Sequence, residues 1–157
     1  MVLLLALLLA EPSIVGTPVS GVYVESCVAT EFANDDDKLA GGVAPFLGRR
    51  VRSTDNGVAH RTLPLGTEIE ITNPRTGKAT TSYVVDRGPF GRARKNGTWY
   101  NGAPFYRKLL RAGKPIPTQG WRGCLDMTRK VRLRLRHNGR ELVHLRVTRW
   151  PRTRTTS

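Results

Sequence analysis

Apolar and polar residues alternate most clearly along four stretches. Residues 67–72 (TEIEIT) put Ile69 and Ile71 on one face and Glu68 and Glu70 on the other, a period of two that predicts a half-buried strand. Residues 79–86 (ATTSYVVD) read as the strand returning from an NPRTGK turn, and RGPFGR breaks it. Residues 129–136 (RKVRLRLR) and 141–150 (ELVHLRVTRW) alternate again. Val131, Leu133 and Leu135 face inward on one, Val143, Leu145 and Val147 on the other, and Asn138-Gly139 between them signals a hairpin. Residues 22–33 (VYVESCVATEFA) alternate in part and predict a first strand. The period is lost over 92–123, which reads as ARKNGTWYNG, a short helix FYRKLLRAG, then KPIPTQGWRG. Sixteen Gly and ten Pro fit many turns and argue against a helical bundle. The expected fold is mainly β, with short strands closed into a barrel and one helical excursion.

Length and charge narrow the class. At 157 residues the chain suits one domain with a real core. Lys+Arg is 26 against 12 Asp+Glu, a net charge of +14, and twenty of those bases are Arg. Residues 1–48 hold one base, Lys38, and six acids, so the positive charge is concentrated in 49–157. Such a surface suits phosphate or carboxylate partners: nucleic acid, anionic lipid or an anionic wall polymer. Residues 2–10 (VLLLALLLA) are too few to span a bilayer but fit the core of a signal peptide, with cleavage expected between 16 and 21. A buried N-terminal strand or helix is the alternative. With residues 1–21 removed, the chain is expected to be secreted or periplasmic, with no stable membrane insertion and no nucleic-acid partner. Export would let Cys27 and Cys124 pair, two free thiols being the alternative. Residues 34–42 (NDDDKLAGG) lack the glycine and distal glutamate of a calcium loop and read as solvated. The tail 151–157 is basic and outside the expected barrel. The three His show no metal-ligand spacing, and no cofactor is expected.

Two stretches carry more specific information. They are Val58-Ala59-His60-Arg61-Thr62-Leu63-Pro64-Leu65-Gly66-Thr67 and Val84-Val85-Asp86-Arg87-Gly88-Pro89-Phe90. With Leu125-Asp126-Met127-Thr128 as a third block, residues 22–150 resemble the double-psi β-barrel domain of rare lipoprotein A-like (RlpA-like) proteins, most strongly over 57–91 and 124–129. The resemblance implies a six-stranded double-psi barrel. It also implies action on bacterial wall glycan: some members are lytic transglycosylases that cleave the MurNAc–GlcNAc β-1,4 bond and leave a 1,6-anhydro end. Others are binding modules.

The chemistry needs an acid for the leaving oxygen, and that same carboxylate can then deprotonate the C6 hydroxyl of the sugar. Asp86, at a strand end before a Gly-Pro turn, is the candidate acid, and partial burial would raise its pKa as the role demands. His60 is the candidate assistant, orienting Asp86 or binding sugar. Asp126, Arg87 and Asp55 are candidate substrate-binding residues, Asp126 having helix capping as its alternative. Catalytic members of the family carry a Glu about eleven residues before the His. Here that place holds Arg49, and Asp55 is the nearest acid. The second departure is the insertion 92–123, whose aromatic residues Trp99, Tyr100, Phe105, Tyr106 and Trp121 could stack on sugar rings, Trp99 and Tyr100 being the named candidates and a local mini-core the alternative. Arg132, Arg134 and Arg136 are expected to form a ladder on one strand face, with Arg146 on the partner strand.

Overall fold

The computed structural model describes residues 23–32, 43–117 and 119–152. Six strands close into one barrel in the order β1 (Val24–Glu31), β7 (Leu125–Met127), β2 (Gly57–His60), β4 (Lys78–Asp86), β3 (Glu68–Asn73) and β8 (Arg140–Arg149). Neighbours are antiparallel except for two parallel pairs, β1 with β7 and β2 with β4. This mixed, closed six-strand architecture is that of a double-psi barrel.

The alternating positions explain the closure. Ile69 and Ile71 of β3 are fully buried, as are Val84 of β4, Leu125 of β7 and Val143 of β8. Burying each such side chain is worth about 1.5–3 kcal/mol, and closure leaves no long strand edge exposed. The insertion forms a small hairpin, β5 (Gly91–Ala93) with β6 (Trp99–Asn101), followed by α1 (Ala103–Arg111). It returns through Trp121, which bridges to Arg92. No described helix is long and apolar enough to cross a membrane.

One predicted strand is a helix. Residues Arg129–Arg134 form α2, following an extended Thr128. The alternating Val131, Leu133 and Leu135 also contain a pair four apart, and the helix uses that pair. Val131 and Leu135 are fully buried, whereas Leu133 is 56% exposed. Arg, Lys and Leu are good helix formers, and basic residues in the last turn suit the negative end of the helix. The expected arginine ladder therefore does not exist. Arg132 pairs with Glu31, and Arg146 with Glu70 at 3.0 Å. Asn138-Gly139 turns the chain from α2 into β8 and joins no pair of strands. The expected signal peptide, the Asp35–Asp37 run and the tail beyond Arg152 lie outside the described residues.

Candidate active site

Ala59 is the midpoint of the site. On one side it pairs with Asp86 of β4, and on the other with Asp126 of β7. Two strand spacings separate the two acids, about 9–10 Å between Cα atoms. Both line a cleft of about 930 Å³. Gly88, two residues after Asp86, has φ 141°, a conformation that side chains disfavour, and a Cβ there would come within 3.7 Å of Asp126 Oδ2 and 3.8 Å of the Ala59 methyl.

The acids differ in their bonding. Burial raises the pKa of Asp86, opposed by the Arg87 N–H, which donates to Oδ1 at 2.7 Å, and by the Arg87 charge. No side-chain donor among the described residues holds it. Asp126 is more enclosed and accepts a hydrogen bond from Thr30 Oγ1. Burial raises its pKa too, against Thr30, Arg122 and Arg61, while the negative charge of Asp86 adds to the rise. The two carboxyls thus sense each other across the cleft floor.

Arg87 turns away from Asp86. Its guanidinium donates to the carbonyls of Leu63 and His60, the latter at 3.4 Å, and so braces the loop that follows β2. Arg61 is buried and donates to the carbonyls of Gly123 and Pro89, with its guanidinium 4.9 Å from the Trp121 ring centre. Burial lowers its pKa to about 10. The Tyr106 hydroxyl closes this junction by donating to the Arg61 carbonyl at 2.6 Å.

His60 does not contact Asp86. Its Nδ1 accepts the N–H groups of Thr62 and Leu63 at 3.1 and 3.0 Å, which places the proton on Nε2 facing Glu25 Oε2 at 3.1 Å. The ring is 2% exposed and does not line the cleft. Burial pushes the Glu25 pKa up, but hydrogen bonds from His60 and Tyr23, together with the electrostatic fields of His60 and Arg61, more than offset it, so the carboxyl is held below its ordinary value. Tyr23 donates to Glu25 at 2.6 Å, and its own pKa is raised by burial and by that carboxylate. Glu25, His60 and the Cys124 sulfur gather within 4.8 Å. Cys124 is bonded to Cys27, so that cluster offers a metal only two ordinary donors.

Asp55 also lies elsewhere. Its carboxylate accepts two hydrogen bonds from Arg49, at 2.8 and 2.9 Å, and one from the Arg52 N–H. The Arg49 hydrogen bond leads in lowering its pKa, and Asp55 does not line the cleft. Trp99 and Tyr100 do line it. The sequence reading thus brings Asp86, Asp126, Arg87, Trp99 and Tyr100 to one cleft and leaves His60 and Asp55 outside its wall. Tyr106, one of the aromatic residues expected of the insertion, also lines the cleft. No role was expected of Glu25, Thr30 or Arg61, although Arg61 stands inside the AHRTLPLGT block and the other two in the expected first strand.

No protein-family profile matches the chain. Three curated proteins do, each called a probable endolytic peptidoglycan transglycosylase RlpA. The Synechocystis sp. protein is 39% identical over 64 residues, covering 34% of this chain and 20% of the relative. The Nostoc sp. protein is 39% identical over 66 residues, covering 34% and 18%. The Aquifex aeolicus protein is 36% identical over 77 residues, covering 42% and 34%. Over these stretches the chain is similar to RlpA proteins. It spans between about a fifth and a third of the length of these relatives. The disulfide Cys27–Cys124 ties β1 to the residue preceding β7, across 97 positions and with Cα atoms 5.9 Å apart. Arg49, at the place of the expected RlpA-like glutamate, is the partner of Asp55.

Proposed function

We propose that this chain acts outside the cytoplasm on peptidoglycan glycan strands, and that it cleaves the MurNAc–GlcNAc β-1,4 bond as a lytic transglycosylase. The observation that carries the reading is Asp86: a half-buried carboxyl with raised pKa, with no side-chain donor among the described residues, in a cleft that Trp99 and Tyr100 also line. Protonated Asp86 gives its proton to the glycosidic oxygen as the C1–O bond breaks. The resulting carboxylate takes the proton of the C6 hydroxyl, whose oxygen bonds to C1 and closes the 1,6-anhydro ring. Acid and sugar return to balance with no water consumed. Asp126, held by Thr30, is the second carboxyl lining the same cleft. His60 and Glu25 act at one remove, fixing the 60–63 loop on which Arg87 rests.

A second reading, a wall-glycan binding module without turnover, draws support from Arg49 and from the engagement of Asp55. One experiment separates the two. Purified sacculi are incubated with the protein, and the soluble products are analysed by mass spectrometry. Release of anhydro-muropeptides, reduced about 100-fold or more in Asp86→Asn, is the expected result. Co-sedimentation with sacculi and no release would leave only the binding module.

A further inference from the structure

The cleft carries more charge than the bond-breaking step needs. Its acids are largely accounted for. Glu31 is paired with Arg132, Asp126 is hydrogen-bonded by Thr30, and burial disfavours the ionised forms of Asp86 and Asp126. Among the cations, Arg87 is occupied by the carbonyls of His60 and Leu63. Two remain. Arg107 on α1 and Arg122 before β7 both line the cleft, and neither guanidinium has a hydrogen bond or ion pair with a described residue. Arg122 reaches Asp126 only through its longer-range field.

Both arginines are delivered by the insertion, and their backbones are pinned. The Arg122 N–H donates to the Gly91 carbonyl at 2.7 Å, and a Cβ at Gly91 would stand 3.1 Å from Arg122 Cβ. Arg107 follows Tyr106, whose hydroxyl is fixed on the Arg61 carbonyl. A guanidinium held on one wall with no internal partner is suited to a planar, two-oxygen anion. Trp99 and Tyr100 line the same cleft, with the Arg140 guanidinium over the Trp99 ring at 5.7 Å and that of Arg94 over the Tyr100 ring at 5.4 Å, and Trp99 is 38% exposed.

Resting on the glycan reading above, we infer that Arg107 and Arg122 bind a carboxylate carried by the glycan, so that the insertion selects acidic strands over neutral β-1,4-linked sugar. Two substituents supply that group: the lactyl carboxylate of a muramic residue without peptide, and the free carboxylates of a stem peptide.

The test is equilibrium binding, read by tryptophan fluorescence, to three ligands of matched length. These are a chitooligosaccharide with no carboxylate, peptide-free glycan strands, and strands with stem peptides. The wild type is expected to bind at least one acidic ligand ten-fold or more tighter than the chitooligosaccharide. Whichever strand gains identifies the source of the carboxylate. Arg107→Gln/Arg122→Gln should erase that preference and keep the chitooligosaccharide affinity. Arg111→Gln/Arg134→Gln, which removes the same charge outside the cleft wall, should keep the preference. Equal binding of all three ligands by the wild type, or a preference that survives in the Arg107/Arg122 variant or is lost in the Arg111/Arg134 control, overturns the inference alone. Binding of none of the three overturns the glycan reading with it.

Discussion

Asp86 illustrates how a half-buried carboxyl is set against the stability of its own fold. Its folded pKa lies above its unfolded value, near 3.9. Between the two values the native state holds the proton more tightly, so the group's contribution to stability falls as pH rises through that window. The loss is absent below the unfolded pKa and complete above the folded one. Asp86→Asn keeps an oxygen for the Arg87 N–H and removes the charge. Its melting temperature should exceed that of the wild type at pH 7, and the advantage should vanish by pH 3 in a series of thermal melts. Activity should also fall as pH rises past the folded pKa, because the ionised acid has no proton to give. Asp86 was legible in the sequence because a strand ending in Asp-Arg-Gly-Pro exposes its last side chain. The partner of His60 was not. Glu25 is 35 positions away, and only barrel closure brings β1 to the loop after β2.

At the scale of elements, the insertion and α2 show where sequence patterns mislead and why. A repeat of Val131, Leu133 and Leu135 serves a strand, but its outer members also serve one helix face. Local composition decided for the helix, and the buried pair confirms it. The insertion was readable as a short helical excursion, whereas its β5–β6 hairpin was not, and nothing in it announced Arg61 as its fastening. Arg61 joins the insertion to the barrel through the Gly123 and Pro89 carbonyls and the Trp121 ring. Arg61→Leu would leave those buried carbonyls unpaired, a loss of about 1–3 kcal/mol. Hydrogen exchange should accelerate across residues 90–122, while β3 and β8 keep wild-type protection. Uniform acceleration over the whole barrel would mean that Arg61 supports the core instead.

For the molecule as a whole, barrel closure was the most legible property, because alternating β3, β4 and β8 demand a shared interior and AHRTLPLGT and VVDRGPF order the strands around it. The Cys27–Cys124 bond stood as one of two options in the sequence, and the fold brings the two residues together. Closing a loop of that length is worth up to about 4.7 kcal/mol by chain entropy. Cys27→Ser/Cys124→Ser should therefore unfold at markedly lower urea, with the wild type in reductant shifting to the same midpoint. Gly123 lies next to this bond, and a Cβ there would meet the Val28 carbonyl oxygen at 2.4 Å, so the crossing admits no side chain.

Cys27 and Thr30 sit on β1, while Cys124 leads directly into Asp126 on β7. Sulfur chemistry and proton chemistry therefore share one pair of strands. On the proposed extracytoplasmic reading, the Cys27–Cys124 bond forms only after export, and from then on it locks the strand pair that carries the Thr30–Asp126 hydrogen bond.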